Sequence, residues 1–484
     1  MSQGNYSDRQ LLLSANETLS ASLPTPMLGS TRLTLALTAL LGISTTYALR
    51  VFFSVAVVAM MEERRRLDGN CSVQCDNSTD AEWRDDDCLV FAWTKSEEGL
   101  LLGAYFWGYI VLQLFAGVLA DRYGPKRLWL WLTFVSSVAT LLGPLTPTSS
   151  VYALMGTRIV TGMGASVSLP AVQSLWSRWA PPAERSRLAG LSYSGANVGL
   201  VATFALSGLV CSSWGWQASF YIVGTLGLLW CVLWQVIASD SPASSRRISD
   251  KERNYILGSL QNASIEQKIA TPWSRLLRSR PVWAIILSLM ATDFAEYLGV
   301  TSLPSYLEQA TGVGLASNGF LSALPFAGAW LVVNFSSTAA DFLLHREILT
   351  TAQTRKVLVV LSNVGQGAFL VGSGYAAETG SAVLAVSCAV ASFAAGGFHV
   401  AGDIVNPMDI APRHAGTVLA LASALGSLCG VAAPYLGAVL TPHSEPSEWL
   451  LVFWITLAVL LSGATLFCLL AAGTSQPWAE AESL

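Results

Sequence analysis

Long apolar runs, separated by shorter polar segments, recur along the whole chain. Twelve runs are long enough for a membrane-spanning helix, which needs about 20 apolar residues. This pattern predicts an all-α membrane protein with twelve transmembrane helices, which we number spans 1 to 12. The runs lie near residues 33–61, 99–120, 128–146, 150–173, 188–211, 219–238, 282–306, 316–338, 357–374, 381–406, 416–440 and 449–472.

The composition agrees with a chain that lies mostly in lipid. Hydrophobic residues make up 52% of the 484 residues and charged residues only 12%, whereas about 25% charged residues is usual in soluble domains. The formal net charge of −4 argues against nucleic acid as a partner. The sequence contains no hydrolase or redox arrangement and no Walker A motif. We therefore expect neither an enzyme nor an ATP-driven pump, with no catalytic residue, no cofactor and no metal site.

Basic residues in the loops predict how the chain crosses the bilayer. Lys and Arg concentrate in the loops that follow the even-numbered spans, and the positive-inside rule makes those loops cytoplasmic. The N-terminal tail 1–32, the polar linker 239–281 and the C-terminal tail 473–484 are then cytoplasmic as well. The linker divides the chain into two bundles of six helices, 33–238 and 282–472.

The long loop 62–98 is the first luminal segment in this topology. It contains Cys71, Cys75 and Cys88, and Cys211 lies at the luminal end of span 5. An oxidising lumen would allow two disulfides among these four cysteines, and the sequence does not decide their pairing. Metal binding is the weaker alternative, because the loop contains no histidine.

Short motifs predict glycosylation and sorting. Asn70 and Asn77 stand in N-x-S/T sequons of the luminal loop, which predicts N-glycosylation. Asp8, Leu12 and Leu13 form the acidic dileucine pattern that endosomal and lysosomal sorting adaptors bind, although the same pattern also occurs by chance in disordered tails. The polar N-terminal tail and the length of span 1 argue against a cleavable signal peptide.

A faint internal repeat relates the two bundles. GVLADRYGPKR at 117–127 follows span 2, and TAADFLLHR at 338–346 follows span 8. Parallel repeats of this kind occur in transporters that bind their substrate near the midplane between the halves. The first block also fits the loop 2–3 signature of the major facilitator superfamily, which implies a role in conformational switching. The signature residues are Gly117, Asp121, Arg122, Gly124, Lys126 and Arg127.

Further blocks resemble the anion transporter family that includes sialin, the vesicular glutamate transporters and the phosphate cotransporter-like proteins. The loop 176–188 is highly specific for that family, and the 240–281 region is most similar to its sialin-like members. The matching blocks are YALRVFFSVAVVAM (47–60), GAYFWGY (103–109), WSRWAPPAERSRL (176–188), SALPFAGAW (322–330), MDIAPRHAG (408–416) and QPWAE (476–480).

This resemblance implies the major facilitator fold and secondary transport by alternating access. The substrate class that it implies is a small organic anion, such as sialic acid or an acidic amino acid, moved by a proton gradient or a membrane potential. The implied location is a lysosomal or vesicular membrane, with the plasma membrane as an alternative.

Arg50 in span 1 and Arg158 in span 4 are charges within apolar helices. A guanidinium at the bilayer centre costs roughly 2.5–3.5 kcal/mol on insertion scales, so it is usually kept for contact with a negative group. The resemblance implies that both arginines handle the anion, and two guanidiniums in one cavity would grip a carboxylate. A structural pair, or snorkelling to the interface, is the alternative. Further substrate-binding candidates, for which packing is the alternative, are Tyr47, Tyr105, Tyr193, Asn197 and Tyr297.

Acidic residues of the second bundle are candidates for proton coupling. Asp293 and Glu296 in span 7 are three residues apart and share a helix face, and Asp403 lies near the inner end of span 10. Carboxylates that line a cavity can carry a coupling proton, and a structural brace is the alternative. Acids at these positions depart from the pattern of the family.

Other departures leave the coupling mechanism open. Sialin-like relatives carry two coupling glutamates after the span 4 arginine, where this chain has Thr161 and Ala165. Leu102 and Pro407 stand where the vesicular glutamate transporters have histidines. Coupling therefore rests on the acids of spans 7 and 10, or the carrier is uncoupled or driven by potential. A zwitterionic or cationic substrate, and a non-transporting receptor or scaffold of the same fold, are the alternative functions.

Overall fold

The computed structural model describes residues 26–27, 29–75, 93–146, 151–181, 184–263, 272–312 and 314–479. These residues form helices joined by short turns, and no strand occurs among them. Ten of the described helices are long and apolar enough to cross a membrane. The prediction of an all-α membrane protein is therefore confirmed.

Each predicted span coincides with one helix or with a helix in two or three pieces, and we label these α1 to α12. The N-terminal bundle contains α1 (Thr31–Cys75), α2 (Lys95–Tyr123), α3 (Pro125–Leu142), α4 (Val151–Ala165 and Ser168–Trp179), α5 (Arg185–Tyr193 and Gly195–Trp214) and α6 (Trp216–Ile237). The C-terminal bundle contains α7 (Arg280–Thr311), α8 (Leu315–His345), α9 (Thr351–Glu378), α10 (Ala382–Gly396, the π-helical turn Val400–Ile404 and Asn406–Ile410), α11 (Ala415–Gly426 and Cys429–Leu440) and α12 (Pro446–Leu470).

The ten helices that meet the length and hydropathy criterion for a membrane span are all of these except α2 and α4. Helix α4 is interrupted at Ser166 and Val167, where the chain makes a turn.

The first helix ends later than its apolar run. Helix α1 continues beyond residue 61 to Cys75, because the Glu and Arg residues that follow the run are good helix formers. The predicted luminal loop 62–98 therefore begins as helix. Helix α2 starts at a capping box, in which Thr94 Oγ1 accepts from Glu97 N over 3.2 Å and Glu97 Oε2 accepts from Thr94 N over 2.7 Å.

All twelve labelled helices have one end on the side of the molecule that we call the basic face. This face carries Arg32, Lys126, Arg187, Arg280 and Arg355.

The linker between the bundles is partly helical and packs on the basic face. Its helix Asp250–Ala263 brings Glu252 to the start of α1, where a carboxylate oxygen accepts from Thr31 N over 3.1 Å and another from Arg32 N over 3.2 Å. The buried Arg32 guanidinium forms ion pairs with Glu252 and with Glu184. The linker therefore caps the first membrane helix.

The two bundles contact each other mainly in the half of the molecule away from the basic face. Helices α5 and α8 approach so closely there that a Cβ on Gly208 would lie 2.8 Å from the Cα of Gly319. The rings of Phe204 and Phe326 stack across the same interface, with centroids 5.2 Å apart.

The only hydrogen bond between the bundles among the described residues is nearer the middle, where Ser427 Oγ donates to Gln113 Oε1 over 3.0 Å. The cleft between the bundles therefore opens toward the basic face.

Candidate substrate cavity between the two bundles

Arg50 lies in a cage of aromatic rings where α1, α2 and α7 meet. Its guanidinium carbon is 4.8 Å from the ring centroids of both Phe106 and Tyr297, 5.8 Å from that of Tyr47 and 5.9 Å from that of Tyr105. Ring faces attract a guanidinium electrostatically without using its N–H donors. Arg50 Nε and Nη2 are buried and have no hydrogen-bond partner, so both remain available to an anionic ligand.

Arg158 is arranged differently, although it lies beside the same cage. Its side chain is almost fully buried, and Nη1 and Nη2 donate to the main-chain oxygens of Leu49 and Arg50, each over 2.9 Å. The Phe53 ring covers the guanidinium at 4.3 Å. Through its two Nη atoms, Arg158 holds the backbone that carries Arg50. Its Nε is buried without a hydrogen-bond partner, so Arg158 also remains a candidate for contact with an anion.

A small cavity adjoins both arginines. Residues of α1, α2 and α4 line one side, and Val300 and Thr301 of α7 line the other. Its polar lining beyond the arginines comes from the hydroxyl groups of Ser54, Tyr105 and Thr301. A ligand in this cavity would touch both bundles at once.

The α7 acids share the cleft with Arg50 without forming an ion pair with it. Asp293 and Glu296 are both partly exposed, and both interact electrostatically with Arg50. Asp293 faces the break in α11, where a Cβ on Gly426 would lie 1.9 Å from Asp293 Oδ2. The interruption of α11 thus leaves room for this carboxylate.

Asp403 is completely buried and takes part in two hydrogen bonds. Ser288 Oγ of α7 donates to Asp403 Oδ2 over 2.6 Å, and His399 Nδ1 lies 3.2 Å from Asp403 Oδ1. The stretch of α10 that carries His399 and Asp403 is held to α9 by Arg355, whose Nη1 donates to Ala401 O over 2.7 Å. The sequence analysis missed His399, although its spacing of four residues from Asp403 places both on one helix face.

Three of the five further substrate-binding candidates lie together around Arg50. Tyr47, Tyr105 and Tyr297 belong to the cage, to which Phe106 adds a ring that the sequence analysis did not single out. Tyr193 lies elsewhere, in a groove between α4 and α5 on the basic face.

Asn197 lies on α5 between Gly195 and Gly199, which pack against the α1 backbone at Leu40 and Ser44. These α1 residues are nearer the basic face than Arg50, so Asn197 is not part of the cage.

The loop 2–3 residues form a tight turn on the basic face. Gly124 has φ +85°, a conformation that favours glycine. Asp240, just after α6, accepts from Lys126 N over 3.0 Å, and Trp234 Nε1 donates to Lys126 O over 3.1 Å. Arg122 and Arg127 are exposed there. Gly117 and Asp121 are both within α2, and the Asp121 side chain lies outside the described part.

The remaining predicted sites lie largely outside the described residues. Cys211 has a free thiol whose Sγ is 3.0 Å from Ser219 Oγ. Among the described residues no group of His, Cys, Asp and Glu is arranged to hold a metal ion. Outside the described positions are Asp8, Leu12, Leu13, Asn77 and Cys88, and outside the described side chains are Asn70, Cys71 and Cys75.

Comparisons with known proteins assign the chain to a family. The model of the Major Facilitator Superfamily matches residues 38–353. Sialin of Homo sapiens is 36% identical over 457 residues, which cover 94% of this chain and 92% of sialin. Vesicular glutamate transporter 3 of Danio rerio is 32% identical over 448 residues, covering 92% of this chain and 73% of that protein.

A solved structure supports the same fold. A bacterial homologue of the human lysosomal transporter Spinster, in an inward-facing and unoccupied conformation, superposes with a TM-score of 0.70 at 15% identity. The match covers 91% of this chain and 97% of that chain. The chain therefore belongs to the major facilitator superfamily and, within it, to the anion transporter family of sialin and the vesicular glutamate transporters, as a multi-pass membrane transporter and not an enzyme.

Proposed function

We propose that this protein carries a small organic anion of the sialic acid or acidic amino acid class across a lysosomal or vesicular membrane. The observation that supports this proposal most directly is the cage of Arg50, where Nε and Nη2 are buried without a partner. Leaving buried guanidinium donors unpaired is costly, and a carboxylate satisfies two of them at once. The family relationship to sialin and to the vesicular glutamate transporters supports the same substrate class.

The position of the site between the bundles supports alternating access. A bound anion touches α1 and α2 of the first bundle and α7 of the second, so binding depends on how the bundles are arranged relative to each other. A ligand shifts such an equilibrium only through its different affinity for the two arrangements. In our mechanism the loop 2–3 turn, held by Asp240, helps the first bundle to move as one body.

Transport is driven by a proton gradient, a membrane potential or both. Asp293, Glu296 and Asp403 are the proposed coupling groups, because they put carboxylates beside or behind the Arg50 site. The basic face is cytoplasmic in this proposal, in agreement with the positive-inside rule. The dileucine motif at Leu12 and Leu13 directs the protein to endosomal and lysosomal membranes through sorting adaptors.

Uptake by purified protein in liposomes tests the proposal. Labelled N-acetylneuraminate and labelled L-glutamate are offered under a pH gradient alone, a potassium-diffusion potential alone, and both together. We expect uptake of at least one compound under at least one driving force. If properly folded wild-type protein takes up no member of a broad panel of organic anions, the proposed function is wrong.

Substitution of Arg50 tests the site itself. We expect Arg50→Gln to reduce uptake at least about tenfold, because losing one partner of a buried charge pair costs about 2 kcal/mol or more. Arg50→Lys retains the charge but not the planar fork, so its uptake should be intermediate. Arg346→Gln is the matched control, since Arg346 is exposed on the basic face. Equal uptake by Arg50→Gln and wild type would contradict the assigned site.

A second candidate function follows from the acids near the cage. Asp293 has no ion-pair partner among the described residues and interacts with Arg50 across the cleft, so a zwitterion would place its ammonium group at Asp293 and its carboxylate at Arg50. Competition by neutral amino acids against labelled L-glutamate distinguishes the two candidates. Effective competition that Asp293→Asn removes would favour the zwitterion carrier.

A further inference from the structure

His399 and Asp403 form a titratable pair on α10, outside the aromatic cage. Their side-chain atoms Nδ1 and Oδ1 are 3.2 Å apart, and Ser288 Oγ donates to the second carboxylate oxygen over 2.6 Å. The Asp403 side chain is fully buried, whereas 12% of the His399 side chain is exposed. With Asp403 ionised, Nδ1 carries the hydrogen of the neutral ring, and Nε2 is the nitrogen left to accept a proton.

The backbone at this pair is not a regular α-helix. Residues Val400–Ile404 form a π-helical turn, a rare form that is common at functional sites. Arg355 of α9 supports the turn, because its Nη1 donates to Ala401 O and its Nε pairs with Asp409 Oδ2 at 2.8 Å. Arg355 is thereby engaged with other groups, and His399 is the basic side chain that pairs with Asp403.

The charges that act on His399 come from two helices. Asp403 belongs to α10, and Asp293 and Glu296 belong to α7; all three interact electrostatically with the imidazole. Asp293 also interacts with Arg50. It therefore interacts with Arg50 of the first bundle and with the titratable imidazole of His399 in the second.

We propose that His399, oriented by Asp403, takes up the proton that is transported together with the organic anion. A proton from water adds to Nε2, and the imidazolium attracts the carboxylates of Asp293 and Glu296. The added positive charge offsets the repulsion between these acids and an anion in the cleft, so Arg50 binds the substrate carboxylate more tightly. When the proton returns to water from Nε2 on the other side of the membrane, this compensation is lost and the anion dissociates. Proton and anion thus strengthen each other's binding, by equal factors in both directions.

This inference rests on the proposed anion transport, but its first test needs no substrate. The chain has four histidines, so in histidine-labelled protein the NMR signal of His399 is identified by its loss in His399→Gln. We expect this signal to titrate between about pH 5 and 8. Its midpoint should move to lower pH in Asp403→Asn, because this variant removes the carboxylate that is hydrogen-bonded to the imidazole, and by a smaller amount in Asp293→Asn. A His399 signal that does not titrate in this range, or a midpoint that neither variant moves, would overturn the proposal.

The second test separates proton coupling from a structural role. In liposomes, uptake of labelled N-acetylneuraminate and labelled L-glutamate is measured with and without a pH gradient. The stimulation of uptake by the gradient should be about tenfold smaller in His399→Gln and in Asp403→Asn than in wild type. Exchange of labelled for unlabelled compound should remain measurable in both variants but lose the stimulation by acidic pH that wild type shows, because protonation of His399 favours anion binding. His345→Gln is the matched control, because His345 is exposed at the end of α8 and should behave as wild type.

The two tests distinguish failure of the inference from failure of the proposed function. Gradient stimulation that persists in both variants overturns the role of the pair while leaving anion transport in place. If wild type transports neither compound, the proposed function fails, and the NMR titration alone decides whether His399 is a proton site that responds to the α7 acid.

Discussion

At the scale of single residues, the two arginines of the first bundle have different surroundings and therefore different roles. Arg158 donates to two backbone oxygens of α1, whereas two nitrogens of Arg50 have no partner. Both charges lie against aromatic rings, which attract a guanidinium without using its N–H donors. Arg50 therefore has two unpaired donors for a ligand, whereas Arg158 has one, its Nε, and also holds the α1 backbone.

A glycine in α11 makes room for the acid next to this site, which leads to a prediction. In Gly426→Ala the added Cβ would lie 1.9 Å from Asp293 Oδ2, so the carboxylate has to move. We expect a loss of about 1–3 kcal/mol of stability from the overpacking and a marked loss of gradient-driven uptake of labelled L-glutamate or N-acetylneuraminate. Thermal unfolding in detergent and liposome uptake measure the two effects.

Gly416→Ala is the control for this substitution, because nothing lies within 4 Å of a Cβ there. Equal stability and equal uptake of the two alanine variants would show that the Asp293 position does not matter.

At the scale of elements, interruptions of the helices coincide with the chemistry. Helix α10 contains a π-helical turn at Asp403, and α11 is interrupted directly after Gly426, which faces Asp293. Backbone irregularity at membrane depth is tolerated where it is buried in protein or lines a cavity. The linker helix Asp250–Ala263 shows a related principle, since Glu252 satisfies backbone N–H groups at the start of α1.

This capping of α1 by the linker can be tested by removing one charge. In Glu252→Gln we expect a loss of about 1.5–3 kcal/mol, the contribution of a hydrogen bond to a charged group, because Arg32 is buried and pairs with this carboxylate at 3.0 Å. The thermal unfolding midpoint of the purified protein reports the loss. Asp250→Asn is the control, since that side chain is 90% exposed and exposed pairs contribute about 0–1 kcal/mol. Similar midpoints for both variants would mean that the linker contact does not stabilise α1.

At the scale of the whole molecule, the bundles are in contact away from the basic face and separated near it. Small residues at Gly208 and Gly319 let α5 and α8 approach closely. In the proposed alternating-access cycle, closing the basic face requires these helices to separate, because the cavity is then open on one side at a time. The packing of the two glycines therefore contributes to the balance between the two conformations.

Enlarging one of these glycines should shift that balance. In Gly319→Ala the added Cβ would lie 2.6 Å from Phe204 O, which disfavours the contact away from the basic face. An overpacking cost of about 1–3 kcal/mol corresponds to a population shift of roughly 5- to 150-fold. Spin labels at the exposed positions Ser177 and Met408 measure the width of the cleft, and we expect shorter distances in the variant. Gly314→Ala, which has no neighbour within 4 Å of its Cβ, should retain the wild-type distances, and identical distributions in all three proteins would contradict the prediction.

The amino-acid sequence by itself determined the fold class and the family, and it singled out one candidate residue of the site. Twelve apolar runs of sufficient length predict the helices, because lipid requires each spanning segment to satisfy its own backbone hydrogen bonds. The blocks at 103–109 and 176–188 predicted the family, which the comparison with sialin confirms. Arg50 was a candidate because it is a charged residue in an apolar helix. Placing a guanidinium in lipid costs free energy, so such a residue usually has a function.

Only the tertiary structure decided how the candidate residues are combined. Arg158 fixes the α1 backbone, Phe106 joins the cage, and Tyr193 lies apart from it. The bond from Ser288 to Asp403 joins residues 115 positions apart. Such contacts depend on the rotation, depth and interruption of each helix, which are set by packing against its neighbours. The local pattern of apolar residues shows where a helix runs, but not which side chains of other helices meet it.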